Sequence, residues 1–289
     1  MKKLISVVTV VYNSENLIER TIKSVIEQSS LSSIEFIIID GNSSDRTLDI
    51  IAKYKNKIDI VVSEPDNGIY DAMNKAIRLA SGVWINFMNA GDTFFSNETL
   101  ELVIKKVNLD IDIFYGSRYI LDEETGDSKV ELADKIETIS KKMPFGHQAA
   151  FAKTELLRMY EFNILYRLSA DYDFFIKCYE KKHKFLKLDL PICYFYEGGL
   201  TTTEQIFSFV ETLKVLLDYF DENLVKNNVA YTDLLNSGSV KNRNKIKLLE
   251  YEIHKRDKEI TSFYSDFPYR VARFLTYPIN KYRLIKGKK

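Results

Sequence analysis

LISVVTVVYN, residues 4–13, decides the fold. The run from Ile5 to Val11 is β-branched and apolar on successive positions, so both faces of the strand it forms are buried, as in a parallel sheet covered by helices. Met1-Lys2-Lys3 in front of it imitates the basic start of a signal peptide. The apolar run stops at Tyr12-Asn13-Ser14-Glu15 with no small-residue cleavage site, and a strand is the expectation. Working outward, Glu35 to Asp40, Ile58 to Val62 and Val83 to Met88 are similar short runs separated by segments of helical period, which predicts βαβ units. Ser14 precedes the first helix, Asp45 lies near the second, and Asn67-Gly68 leads into the third. Ala72, Ala76 and Ala80 give the third helix a small-residue stripe that suits close packing on a sheet.

Beyond Asp92 the rhythm changes. A helix is expected near Glu98 to Val107, strands near Asp112 to Leu121 and Lys129 to Leu132, and helices near Thr154 to Tyr160 and Ala170 to Lys182. Strand-like Phe185 to Leu188 and Ile192 to Tyr196 follow, then Gly198-Gly199. From Glu204 the pattern is that of amphipathic helices joined by Asn236-Ser237-Gly238-Ser239. The whole predicts an α/β domain over 1–203, a mostly parallel sheet with helices on both faces, and a helical extension over 204–289.

Composition narrows the function classes. The 289 residues are 45% hydrophobic, and 41 basic side chains balance 41 acidic ones, so no overall field argues for nucleic acid. Cys178 and Cys193 lack ligand spacing and read as reduced thiols of a cytosolic protein. No window approaches the roughly 18 apolar residues of a membrane span. The stretch 267–289 holds seven basic residues and no acid among Phe267, Tyr269, Phe274, Tyr277 and Tyr282, leaving minus seven on the rest of the chain.

Ligands of open α/β sheets bind beyond the carboxyl ends of the strands. Here those ends read Val11-Tyr12-Asn13, Asp40-Gly41-Asn42-Ser43-Ser44-Asp45, Glu64-Pro65-Asp66-Asn67-Gly68 and Asn89-Ala90-Gly91-Asp92. Taken singly, such residues are ordinary caps that stabilise a helix by about 1 kcal/mol. As a set they join an aromatic ring, hydrogen-bond acceptors and carboxylates on one edge, which suits a nucleobase and a metal-bound diphosphate. Neither GxGxxG nor GxxxxGK[ST] is present, so the backbone nest of dinucleotide dehydrogenases and phosphate-loop NTPases is missing.

SVVTVVYN, IIIDGNSSDRT, EPDNGIYDAMNKAIRLASG and FMNAGD, in this order and spacing, resemble the N-terminal half of the family 2 glycosyltransferases, which have the Rossmann-like GT-A fold. The GIYDAMNKA and NAGD forms are most similar to bacterial enzymes of O-antigen, capsule or exopolysaccharide synthesis. The resemblance implies a nucleotide-sugar-binding half over 1–110 and an acceptor half over 111–203. It implies that Val11 and Tyr12 flank the base, that Asp40 accepts a hydrogen bond from it, and that Asn74 lines the donor pocket. The family's acidic metal motif falls on Asn89 to Asp92, where Asn89 and Gly91 replace carboxylates and only Asp92 remains to hold Mn2+ or Mg2+. Ser169-Ala170-Asp171 stands where the family carries its catalytic base, with Asp171 matching the acid and Ala170 departing from the pattern. His147 and Gln148 fall in the loop beneath the acceptor, and Gly198-Gly199-Leu200-Thr201 resembles the segment that closes on the donor diphosphate.

The resemblance therefore implies an inverting transfer from a nucleotide sugar, a UDP-sugar being expected, to a lipid-linked glycan acceptor. The basic aromatic stretch suggests an enzyme held peripherally on the cytoplasmic face of the inner membrane. Two other readings stay open. One is transfer to a polyprenyl phosphate; the other is a sugar-nucleotide-binding protein that has lost catalysis, suggested by the altered metal motif.

Overall fold

The computed structural model describes residues 3–123, 125–196, 205–221, 224–225, 227–230 and 232. The chain divides into the units Met1–Leu235 and Asn236–Lys289. The second unit, the basic stretch 267–289 and the Gly198–Thr201 segment lie outside the described residues.

The first part alternates as the sequence predicts: β1 (Ile5–Val11), α1 (Ile18–Ile26), β2 (Ile34–Asp40), α2 (Thr47–Lys53), β3 (Ile60–Ser63), α3 (Ile69–Leu79) and β4 (Trp84–Phe87). Then come β5 (Thr93–Phe94), α4 (Thr99–Lys106), β6 (Ile113–Leu121), β7 (Ser128–Glu131), β8 (Ala150–Lys153) and α5 (Thr154–Tyr160). The described part closes with α6 (Ala170–Glu180), β9 (Phe185–Tyr196) and α7 (Gln205–Tyr219). One sheet runs β3-β2-β1-β4-β8-β6-β9-β5, with β7 paired to β6. Its β3-β2-β1-β4 half is parallel, whereas β8 is antiparallel to both β4 and β6. The mostly parallel sheet expected from the sequence is thus parallel on one side and mixed on the other.

Helices cover both faces, as strands buried on both sides require. On one face Ile18, Ile22 and Val25 of α1, Ile51 of α2 and Leu100 and Val103 of α4 pack on the sheet. On the other, α3 brings Met73, Ala76 and Ile77, α5 brings Leu156 and Leu157, and α6 brings Phe174, Phe175 and Ile176. The small-residue stripe of α3 does what its spacing implies, since Ala72, Ala76 and Ala80 are at most 2% exposed.

Three features depart from the sequence reading. The two strands expected around Pro191 are one strand, β9, which tolerates the proline because its pairing with β6 shifts register beside Ser117 and Pro191. The four-residue β8 was not expected, since a run of two alanines, a phenylalanine and a lysine is too short to display a period. The expected boundary at Thr203 also falls short of the compact unit, because α7 belongs to the same core. Val215 and Leu216 are fully buried with the residues of α6, and the contact is polar as well. Asp173 accepts a hydrogen bond from Tyr219 Oη at 2.6 Å, and Asp218 accepts one from Tyr166 Oη at 2.8 Å.

Glu211 on α7, 4% exposed, accepts the backbone N–H groups of Arg167 at 2.7 Å and Leu168 at 2.6 Å, just ahead of α6. Glu211→Ala should strand both donors and destabilise the fold by about 3 kcal/mol. Urea unfolding measures this, and an unchanged midpoint would show that α7 does not brace the start of α6.

Candidate active site

The carboxyl ends of β1, β2 and β3 form a cleft around Gly41. Tyr12, 61% exposed, lies at the end of β1, and a Cβ on Gly41 would stand 3.4 Å from its ring and 2.5 Å from the Asp66 carboxylate. Only glycine lets ring and carboxylate close in from two sides. Burial raises the Asp66 carboxyl above the usual carboxylate range, against the Gly68 N–H and the Lys75 ammonium, which pull it down. The chain following β1 is tied to the chain following β2, since Ser44 N donates to Asn13 Oδ1 and Asn13 N donates to Ser43 Oγ, both at 2.8 Å.

The residues named for the donor from sequence separate into two groups here. Tyr12 faces the cleft, whereas Val11 is 6% exposed and packs in the core. Asp40 is fully buried and accepts hydrogen bonds from Ser43 N, Ser43 Oγ and Ser63 Oγ, so its carboxylate fastens the β2 and β3 ends together. Asn74 is 5% exposed and bonded to the backbone of Phe162. Its amide donates to Phe162 O at 2.8 Å and accepts from Phe162 N at 2.9 Å, a clamp between α3 and the loop after α5.

The second half of the site is built from β4, α3, α6 and the 147–149 turn. Asn86, fully buried on β4, donates to Gln148 O at 2.8 Å and Ala150 O at 2.9 Å, which fixes His147 and Gln148 at the end of that strand. His147 Nδ1 lies 3.0 Å from Asp171 Oδ2, and His147 Nε2 lies 2.9 Å from Asn89 Nδ2. Asp171 Oδ1 accepts from Tyr70 Oη and from Tyr172 N, both at 2.9 Å. Burial pushes the Asp171 carboxyl up, but His147, Tyr70 and the Tyr172 N–H outweigh it and leave it below the usual range. Met73, Phe87, Phe162, Phe174 and Phe175 line an apolar cavity against His147 and Asp171.

Asp92, 4% exposed, accepts Gln148 Nε2 at 3.0 Å and Tyr196 N at 3.2 Å. Burial raises its carboxyl to about 6, against the Tyr196 N–H, His147, Gln148 and Arg118. As arranged, these groups do not form a divalent-cation site: each Asp92 oxygen already holds a donor, the Asn89 amide is turned to His147, and Gly91 has no side chain. No cluster of three acids, histidines or cysteines that could hold a metal occurs among the described residues.

Of the residues named from sequence, the structure joins Asp171, His147 and Asn89 in one group and Gln148 to Asp92, and three neighbours were not named. Tyr70 and Asp66 lie inside the quoted EPDNGIYDAMNKA motif, but nothing in the motif says that the tyrosine reaches Asp171. Arg118 carries no signal at all. Its Nη1 donates to Gln148 Oε1 at 3.3 Å, and its guanidinium passes so close to Gly146 that a Cβ there would stand 2.5 Å from Nη1.

Residues 6–175 match the model of glycosyl transferase family 2. A PGL/p-HBAD biosynthesis glycosyltransferase of Mycobacterium bovis is 30% identical over 160 residues, 53% of this chain and 61% of that protein, so the match spans about three-fifths of the relative's length. An uncharacterized glycosyltransferase of Methanocaldococcus jannaschii is 28% identical over 196 residues, 64% of this chain and 67% of that one. Among solved structures, S. aureus TarS residues 1–349 in complex with UDP-GlcNAc superposes with a TM-score of 0.61 at 20% identity, covering 83% of this chain and 74% of that one. The mannosyltransferase PcManGT of Pyrobaculum calidifontis, in complex with GDP-Man and Mn2+, gives 0.61 at 14% identity over 94% and 83%. Both share the curled α/β sheet, and with the family match over most of β1 to α6 the chain belongs to the family 2 glycosyltransferases.

Proposed function

We propose that this protein transfers a glycosyl group, with inversion, from a nucleotide-activated sugar to a hydroxyl of a lipid-linked glycan in bacterial surface polysaccharide synthesis. The observation that carries the reading is the Asp171 carboxylate, held by Tyr70, Tyr172 and His147 beside the strand ends that bear the Tyr12 and Asp66 cleft. A nucleobase stacks on an exposed ring such as Tyr12, and the donor N–H groups of its edge suit the Asp66 carboxylate. The acceptor hydroxyl loses its proton to the pair formed by Asp171 and His147 while its oxygen attacks the anomeric carbon. Attack from the face opposite the leaving nucleoside diphosphate inverts the centre in one displacement.

TarS bound to UDP-GlcNAc supports a UDP-sugar, and PcManGT bound to GDP-Man keeps a guanine donor in the test. The retained and fully hydrogen-bonded Asp171 favours catalysis over an inactive binding protein. Transfer to a polyprenyl phosphate would use the same cleft and base, and product analysis separates it from extension of a glycan. The Mn2+ of PcManGT supports a cation in the reaction. The Asp92 contacts offer it no ready cage. Attachment to the cytoplasmic face of the membrane rests on the basic aromatic stretch 267–289. No described helix is long and apolar enough to cross a membrane.

Purified protein offered UDP, GDP and dTDP sugars with a lipid-linked saccharide should transfer from one donor class. Asp171→Asn should lower turnover by about two to four orders of magnitude with little change in nucleotide binding. Near-normal turnover in that variant removes Asp171 from the chemistry, and absence of transfer from every donor removes the enzyme reading. Calorimetric titration of Mn2+ into nucleotide-free protein should show no saturable binding; a micromolar site would mean that Asp92 exchanges Gln148 for the ion. Deleting 267–289 should reduce cosedimentation with anionic vesicles, whereas equal binding by intact and shortened chains would refute membrane docking.

A further inference from the structure

Four side chains form one hydrogen-bonded row from α3 to the end of β4: Tyr70, Asp171, His147 and Asn89. A carboxylate only accepts, so the proton of the neutral imidazole sits on Nδ1, facing Asp171 Oδ2. Nε2 is then bare and accepts from Asn89 Nδ2. The other end of that amide is out of balance, because Asn89 Oδ1 is buried and has no hydrogen-bond partner. A buried acceptor without a donor is costly. An imidazolium would supply the missing donor: with a proton on Nε2, a half-turn of the amide sets Oδ1 on that N–H.

We propose that His147 Nε2 is the atom that receives the acceptor's proton, with Asp171 as the carboxylate that fixes its tautomer and Asn89 as the amide that turns to hold the new N–H. The proposal rests on the glycosyl-transfer reading above and says which member of the pair ends with the proton. The acceptor hydroxyl displaces Asn89 Nδ2 from Nε2. Its proton passes to Nε2, its oxygen pair forms the bond to the anomeric carbon, and the bond from that carbon to the diphosphate oxygen breaks with its electrons leaving on the nucleoside diphosphate. The imidazolium, 22% exposed at its side chain, returns the proton to solvent as product leaves. Asp171 stays ionised throughout, because its three hydrogen bonds outweigh the burial that opposes the charge.

The charged and titratable groups facing this imidazole come from several elements. Asp171 is on α6 and Tyr70 on α3, Asp92 at the end of β4 acts on it through space, and Arg118 of β6 passes beside Gly146. Burial lifts the Asp92 carboxyl to about 6, so an acid limb in a rate profile does not identify His147. The tautomer does.

The test is nitrogen NMR on the full chain with labelled histidine, the His147 signals being assigned by their loss in His147→Gln. The expected result is a neutral imidazole protonated at Nδ1, with that preference lost in Asp171→Asn. An Nε2–H tautomer overturns the proposal whatever the activity, because the reading needs no substrate. In turnover, His147→Ala should lose about two to four orders of magnitude and recover part of it when imidazole is added to the buffer, and His147→Gln should lose as much while still binding UDP. Failure of imidazole to restore a folded, UDP-binding His147→Ala also overturns it. Absence of transfer by the unaltered chain would instead overturn the reading on which the proposal rests.

Discussion

Asn86 is the hinge pin of this architecture. β4 and β8 pair only through Trp84 with Lys153 and Ile85 with Ala152, after which the strands part. Beyond that point the Asn86 amide bridges the gap, donating to the carbonyls of Gln148 and Ala150 in place of ladder bonds. Both hydrogens of this fully buried amide are matched, while its Oδ1 is buried without a hydrogen-bond partner. The bridge lets the parallel half and the mixed half diverge at their common edge. The opening holds the turn that carries His147 and Gln148, the first facing Asp171 and the second facing Asp92.

The same logic of polar groups fastened by backbone donors runs behind the site. Glu35 on β2 is 7% exposed and accepts from Ser6 Oγ, Ser81 N and Ser81 Oγ, tying the lower ends of β1 and β2 to the chain entering β4. Burial pushes its carboxyl up, yet those donors win and hold it below the usual range. Such a group stabilises the fold above the pH at which the unfolded carboxyl titrates, and the contribution is lost as pH falls through the lower folded value. At the opposite end, Glu211 and Asp173 perform the equivalent fastening between α7 and α6.

How much of this was legible in the sequence follows from how each feature is encoded. Periodicity announced β1 to β4, α5 and α6 because each is long enough to show a period or is bounded by turn residues. It was silent on β8, whose four residues are placed by neighbours on both sides, and on the continuity of β9 through Pro191, which depends on a register shift in its partner. At the site, residue type was legible and pairing was not. Asp171 stood out by its place in a motif, and His147 by its irregular loop. Their approach to 3.0 Å joins residues 24 apart through the packing of α6 against the 147–149 turn, which no local pattern states. Asn74 was legible as a polar residue within a motif, but its clamp on Phe162, 88 residues away, was not.

The docking of α7 on α6 has a consequence for the order in which the molecule can assemble. The loop that delivers Asp171 is anchored by Glu211, and Asp173 by Tyr219, so α6 acquires its final seat only from chain that is synthesised after it. The parallel ladders of β1 to β4, by contrast, draw both strands of every pair from residues 5–87. On a ribosome the parallel strands that carry Tyr12 and Asp66 at their ends can therefore pair while the segment that carries Asp171 still waits for its anchor.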